Sequence, residues 1–313
     1  MRWLLKATVI AGLLANLTGI AWAHMGDKVF PIVELTDAEL ARIDITDGSV
    51  EDWLEVVGEP TATAPDFSTD PEYASYDPAD MDFRIWLAWH RATGRIYVAM
   101  ERSDDLYLNE FDRGRDKGCP NRSCLMAAQD SHLGFYVDGD HSGGQFIFYG
   151  GPDPELELEE QLLLSLQTAQ WYETLAEVHD VESHVSIPLI SLFADWFADP
   201  PYAQGGGGVV NGNPALSVTE FYVTPFDHFV YNNAEESVVS ELYPGKVIGF
   251  SLAVMDTDSK GHTWKSVQYR PSYFPKTADQ FADGVLLGPG GALPEISAVE
   301  SNSWARIKAS FGK

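Results

Sequence analysis

Cysteine is nearly absent: among 313 residues only Cys119 and Cys124 occur. So little cysteine excludes a fold stapled by several disulfides, and without a Cys-x-x-Cys-His run it excludes covalent haem attachment. In an oxidising compartment two cysteines this close pair, so a Cys119–Cys124 disulfide closing a small surface loop is expected. Positive charge is scarce as well, with 20 Lys and Arg against 47 Asp and Glu and a net charge of -27. Such a surface repels phosphates and anionic membranes, which argues against nucleic acid as a partner and leaves neutral or cationic ones: sugars, Ca²⁺ or a protein. Solubility alone is an equally good reason for the charge. Beyond the first residues no apolar run reaches the roughly 18 to 20 residues of a membrane span. Nucleophile-elbow, zincin, P-loop and dinucleotide fingerprints are all missing. The abundant carboxylates are not evidence for glycoside hydrolysis, because a pair at suitable spacing would arise in any fold.

What is present begins with an export signal. Arg2 and Lys6 precede an apolar stretch from Ala7 to Ala21 that closes on Ala21-Trp22-Ala23. This pattern predicts a signal peptide over 1–23, a mature chain starting at His24, and a secreted or periplasmic location. A membrane anchor is the poorer reading, since the stretch is short and interrupted by Asn16 and Thr18. Losing two cations moves the net charge from -27 to -29, and 313 less 23 leaves 290 residues, enough for one large domain. An N-terminal His24 also resembles the copper brace of lytic polysaccharide monooxygenases, although that brace needs a second His which the sequence does not single out.

Short apolar runs rich in aromatic and β-branched residues, separated by turn residues, recur along the chain. Phe83 to Asp105 holds two of them around Arg91-Ala92-Thr93-Gly94, a hairpin. His132 to Asp140, Gln145 to Gly150, Ser183 to Phe193, Val218 to Tyr231 and Lys246 to Asp256 each predict a strand. Residues 155–178 fit strand or helix, with strand preferred. The short element around Asp47 to Val57 is followed by a polar loop from Gly58 to Asp80. The run from Gly205 to Gly208 after Pro200-Pro201 is expected to be flexible. Seven or more short strands with few helices predict an all-β fold: an antiparallel β-sandwich of two-sheet, jelly-roll or immunoglobulin-like architecture with long loop insertions.

The order of these segments resembles family 9 carbohydrate-binding modules and the wider DOMON-like group of sandwiches. The likeness is carried by Asp47-Gly48-Ser49 with Trp53; by the hairpin with Trp89, Tyr97 and Asp104; by the strand between Asp130 and Asp138; and by Ile187-Pro188 followed by Pro244-Gly245 and a strand ending in Asp256 and Asp258. It spans residues 47 to about 270. It implies one sandwich domain over 24–313, with an insertion at about 194–243, that binds neutral carbohydrate without catalysis. The chain departs from the pattern at Gly134 and at Ser183-His184, where the family often carries Glu. Relatives of the same sandwich that hold haem without covalent attachment supply an alternative, with Met100, Met126 and Met255 as axial candidates, and a structural or adhesion domain is another.

The candidate site residues follow from these segments. Asp138, Asp140 and Ser142, followed by Gly143-Gly144, place oxygen ligands at alternate positions before glycine, the opening of a Ca²⁺ loop; Tyr149 stands where an EF-hand needs its bidentate Glu. Asp256 and Asp258 open a second such loop with Lys260 in a ligand position. Ordinary Asp/Gly turns explain both equally well. Sugar recognition needs aromatic faces for the pyranose ring. Trp171, Trp196, Tyr202 and Trp264 fall in segments with loop character and are the stacking candidates, whereas Trp53, Trp86 and Trp89 belong with the core.

Overall fold

The computed structural model describes residues 28–69, 76–106, 132–144, 168–174, 189–190, 196–210, 214–230, 233–258, 261–266 and 277–292. The export signal and His24, the Cys119–Cys124 pair, Met126 and the strand expected over 145–150 lie outside these residues. The strands are β1 (Val29–Glu34), β2 (Ala62–Thr63), β3 (Ser68–Thr69), β4 (Met81–His90), β5 (Arg95–Asp104), β6 (His132–Asp138), β7 (Gln170–Thr174), β8 (Leu189–Ile190), β9 (Ala203–Val210), β10 (Ala215–Val223), β11 (Phe226–His228), β12 (Val238–Val239), β13 (Val247–Asp258), β14 (Gly261–Ser266) and β15 (Ala282–Pro289). Two short helices, α1 (Asp37–Leu40) and α2 (Glu51–Val56), join β1 to β2.

The all-β expectation holds. One curled sheet runs β8-β7-β6-β13-β15-β1-β4-β5-β10-β9, with β14 on β13, β2 on β4 and β3 on β14, while β11 and β12 form a small second sheet. Most pairings are antiparallel, but β1 runs parallel to both β15 and β4. The sheet is therefore mixed. A parallel pair needs a long connection, and β1 has one on each side: residues 35–80 lead to β4, and nearly the whole chain separates β1 from β15.

The β4–β5 hairpin shows how the sequence folds locally. Its ten residue pairs run from Met81↔Asp104 to His90↔Arg95, and Gly94, at φ 63°, closes the turn by donating its N–H to His90 O at 3.0 Å. Alternation then sends Ile85, Leu87, Trp89, Ile96, Val98 and Met100 into the interior of the curl. Trp86, Ala88, Tyr97 and Ala99 point to the outer face. Burial of both faces explains why the two strands read as almost continuous apolar runs.

The interior cluster also takes Leu133, Phe135 and Val137 of β6, Tyr172 of β7, Phe221 of β10 and Phe250, Leu252 and Val254 of β13. The outer face carries two separate clusters. On β6, β7 and β13, Tyr136, Trp171, Ala253 and Met255 pack beneath Ala278 and Phe281. On β4, β5 and β10, Trp86, Ala88, Tyr97, Ala99, Val218 and Tyr222 pack beneath a strap formed by residues 35–58, which contributes Leu35, Val50 and Trp53.

The glycine run, expected to be flexible, is strand β9, paired with β10 from Ala203↔Val223 to Val210↔Leu216. The strap supplies the reason. A Cβ on Gly206 would lie 2.3 Å from the carbonyl oxygen of Ile45 and 2.8 Å from Thr46 Cα. A side chain at Gly206 would therefore push the strap off the sheet.

Candidate functional site

The segments 196–203 and 226–229 bring aromatic rings together. Trp196 lies in the turn that leads into β9, and its ring meets Tyr202 edge-on at 5.0 Å, Phe226 at 5.4 Å and Phe197 at 5.5 Å, with Phe229 tilted at 5.8 Å. Phe226, Phe229 and Phe197 are buried, while Trp196 and Tyr202 are half-buried against the interior cluster. Edge-to-face contacts suit the ring quadrupoles and hold each ring in one orientation. The result is a rigid aromatic rim.

Polar contacts from the sheet fix this rim. The N–H groups of Tyr202 and Ala203 both donate to Asp199 O, at 3.0 and 3.1 Å, around a cis Pro200–Pro201 bond. Arg95 donates from Nη2 to Pro201 O at 2.8 Å while its guanidinium stacks 3.9 Å from the centre of the Tyr222 ring. On the other side, the buried amide of Gln170 donates to Thr224 O and accepts the N–H of Phe226, both at 2.9 Å, and so ties the Phe226 segment to β7. Gln170 also donates to the Tyr172 hydroxyl. Burial pushes that phenol well above its usual range, so it stays neutral. Asp199, three residues from both Trp196 and Tyr202, is exposed at the rim.

The four stacking candidates therefore separate. Trp196 and Tyr202 come together. Trp171, expected in a loop, lies on β7 and is 2 % exposed, stacked on Tyr136 with ring centres 5.6 Å apart. Cross-strand pairing of Tyr136 with Trp171 places both rings on one face, so Trp171 presents no surface to a ligand. Gly134, where the sequence departs from the family pattern, makes room here, because a Cβ on it would press to 3.1 Å of the Tyr136 ring. Trp264 also belongs to a strand and not a loop: it lies in β14, its backbone pairs with Met255 of β13, and its side chain lies outside the described residues.

The loop after β6 is closed by its own backbone. Asp138 accepts the N–H of Gly143 at 2.8 Å and of Ser142 at 3.3 Å, and Asp140 accepts that of Ser142 at 3.0 Å. Burial pushes the Asp140 carboxyl up, but side-chain hydrogen bonds with Asp138 and Ser142, together with the Ser142 N–H, outweigh it and hold Asp140 below its ordinary range. Asp256 and Asp258 lie within strand β13 and not in a loop. Asp256 is buried, 3.9 Å from Arg102 Nη2, with the Asp104 carboxylate bonded to the same guanidinium. It thus faces a resident cation. Among the described residues no group of three or more His, Cys, Asp or Glu side chains is arranged to hold a metal ion. Met100 and Met255 are fully buried on opposite faces of the sheet, the first in the interior cluster and the second in an outer one. They are not placed to share one haem.

Phe226 and Phe229, which complete the rim, are legible in the sequence only as part of a strand-like stretch. The signal that points to them is aromatic density, since Trp196, Phe197, Tyr202, Phe226, Phe229 and Tyr231 fall within 36 residues.

Neither the protein-family models nor the curated proteins searched yield a match to this chain. Among solved structures, a family 9 carbohydrate-binding module from Caldicellulosiruptor kristjanssonii in complex with cellotriose is similar, at 11 % identity and a TM-score of 0.47, over 86 % of this chain and 100 % of that one. The same module in complex with glucose gives 11 % identity and a TM-score of 0.45 over the same shares. A protein from Bacteroides uniformis, described as carbohydrate-binding, gives 13 % identity and a TM-score of 0.34 over 83 % of this chain and 99 % of that one.

Proposed function

We propose that this chain is an exported, non-catalytic domain that binds neutral carbohydrate, with Trp196 and Tyr202 as the stacking surface. The observation that carries the reading is the rim itself: two half-buried aromatic rings, edge-to-face with each other, packed on buried Phe226 and anchored to the sheet through Arg95 and Gln170. Rings fixed in this way lose little conformational freedom when a pyranose stacks on them. Asp199 supplies a hydroxyl acceptor beside them, and a net charge of -27 does not penalise an uncharged ligand. The ordered sequence resemblance to carbohydrate-binding modules supports the same ligand class, and the leader over residues 1–23 would deliver the protein to where polysaccharides are found.

Calorimetry of the mature protein against a panel of neutral mono- and oligosaccharides is the test. Saturable heat that disappears in Trp196→Ala and Tyr202→Ala is the expected result; no heat with any sugar at millimolar concentration would sink the proposal. Intact mass is expected to place the first residue at His24, and alkylation of Cys119 and Cys124 is expected only after reduction.

A further inference from the structure

On the outer face, beneath the strap, lies a carboxyl group that the rim does not use. Glu220 of β10 is fully buried, accepts the indole N–H of Trp53 at 2.8 Å through Oε1, and has no hydrogen-bond partner for Oε2. Its cross-strand neighbours are Ala99 of β5 and Gly206 of β9, the glycine against which Ile45 and Thr46 are pressed. We infer that Glu220 is a protonation-dependent latch: as a neutral acid it lets the strap of residues 35–58 lie flat on the β5–β10–β9 face, and its ionisation loosens that strap.

The charged groups around it disfavour its ionised form or are otherwise engaged. From the strap come Asp47 and Asp52, both negative; Asp52 accepts the N–H of Asp44 at 2.8 Å and of Trp53 at 2.7 Å. From the sheet come Tyr97 and Glu101 of β5, the latter paired with Arg84 of β4 at 2.9 Å, and Tyr222 of β10, whose ring is covered by Arg95. The Trp53 indole and, to a lesser degree, the Gly48 backbone favour the carboxylate. Among the described residues no cation pairs with Glu220, and burial, helped by Asp52 and Asp47, pushes its carboxyl up to about 8. An ionised carboxylate with only neutral donors in a dry site is costly, and lifting the strap to admit water relieves that cost. Tyr202 and Gly206 lie on one side of the same β9–β10 hairpin, and Thr224 N–H donates to Tyr202 O at 2.8 Å. The strap therefore bears on the strand that leads from the aromatic rim.

Hydrogen exchange followed by mass spectrometry on the full mature chain, corrected for intrinsic rates, tests this between pH 6 and 10. Protection of residues 44–57 is expected to fall by up to about tenfold per pH unit as pH rises toward about 8 and to level off above it, where the closed state is itself ionised, and Glu220→Gln, which keeps an acceptor for Trp53, is expected to hold it constant. Asp52→Asn should move the transition to lower pH, by removing a negative neighbour. Trp53→Phe should move it to higher pH, by removing the donor that favours the carboxylate; if that variant fails to fold, the other two decide. Unchanged protection up to pH 10, or a Glu220→Gln profile that overlays the wild type, overturns the inference. No ligand enters the measurement, so its outcome is independent of sugar binding.

Discussion

The two outer-face clusters bury aromatic rings by different means. Beneath Phe281, the stacked pair Tyr136 and Trp171 packs with Ala169, Ala253, Met255 and Ala278. Beneath the strap, Trp53, Trp86 and Tyr97 surround a carboxyl that finds one side-chain donor. The first cluster depends on contact area and shape, which are indifferent to pH. The second depends on a proton as well. Asp104, inside the curl, is paired with Arg102; a buried acid without such a counterion must take up a proton or move toward water.

Four measurements break or sharpen this contrast. Trp171→Ala removes a ring that is 2 % exposed and is expected to destabilise by about 3–5 kcal/mol in denaturant melts. The loss should be equal at pH 5 and pH 9, and sugar affinity of the folded fraction should be unchanged. A loss of affinity at full stability would return Trp171 to the binding surface.

Glu220→Gln addresses the other cluster. The folded carboxyl, at about 8, lies above the ordinary glutamate value of 4.5, so over the interval between them the native state holds a proton that the unfolded chain has released. Stability from this group is therefore full below about 4.5 and declines as pH rises through 8. Every tenfold difference in proton affinity between the folded and unfolded chain corresponds to about 1.4 kcal/mol. The variant should match the wild type near pH 4.5 and exceed it by a few kcal/mol at pH 9, read from urea midpoints; equal midpoints at pH 9 would place Glu220 in water.

Trp196→Ala and Tyr202→Ala concern rings that are only half-buried, and each should weaken sugar binding by about 1–3 kcal/mol, by analogy with bases stacked on aromatic side chains. Both variants are expected to retain the wild-type pH dependence, because neither ring touches the strap cluster. The smallest effect is expected from Ca²⁺. Asp138 and Asp140 already accept N–H bonds from Ser142 and Gly143, and Gly144 O accepts from Ala278 N and Thr277 Oγ1, which ties the loop to the cover of the apolar cluster. Melting curves in EDTA and in millimolar Ca²⁺ should overlay. A stabilisation approaching the roughly 2.7 kcal/mol expected at a hundredfold excess over the dissociation constant would show that the cation displaces those donors.

Composition and local pattern were enough to determine part of this molecule. Runs of β-branched and aromatic residues around good turns specify β4, β5, β6 and β13, because burial on both faces leaves a dense apolar signal in one dimension. The same reasoning applies to the acidic composition and to the aromatic richness of residues 196–231. Other features have no local signature. Gly205 to Gly208 is strand and not hinge because the carbonyl of Ile45, some 160 residues away, lies against Gly206. The parallel partners of β1 come from distant parts of the chain, and no periodicity announces them. Trp171 and Trp196 look alike in sequence, each beside polar residues; pairing with Tyr136 buries one, and the turn before β9 leaves the other at the surface. Glu220 sits in an alternating strand like any solvent-facing acid, and only the strap folded over it removes the water. Backbone preference and hydrophobic periodicity are properties of neighbouring residues, whereas solvent exclusion depends on what packs above a side chain, which only the tertiary structure decides.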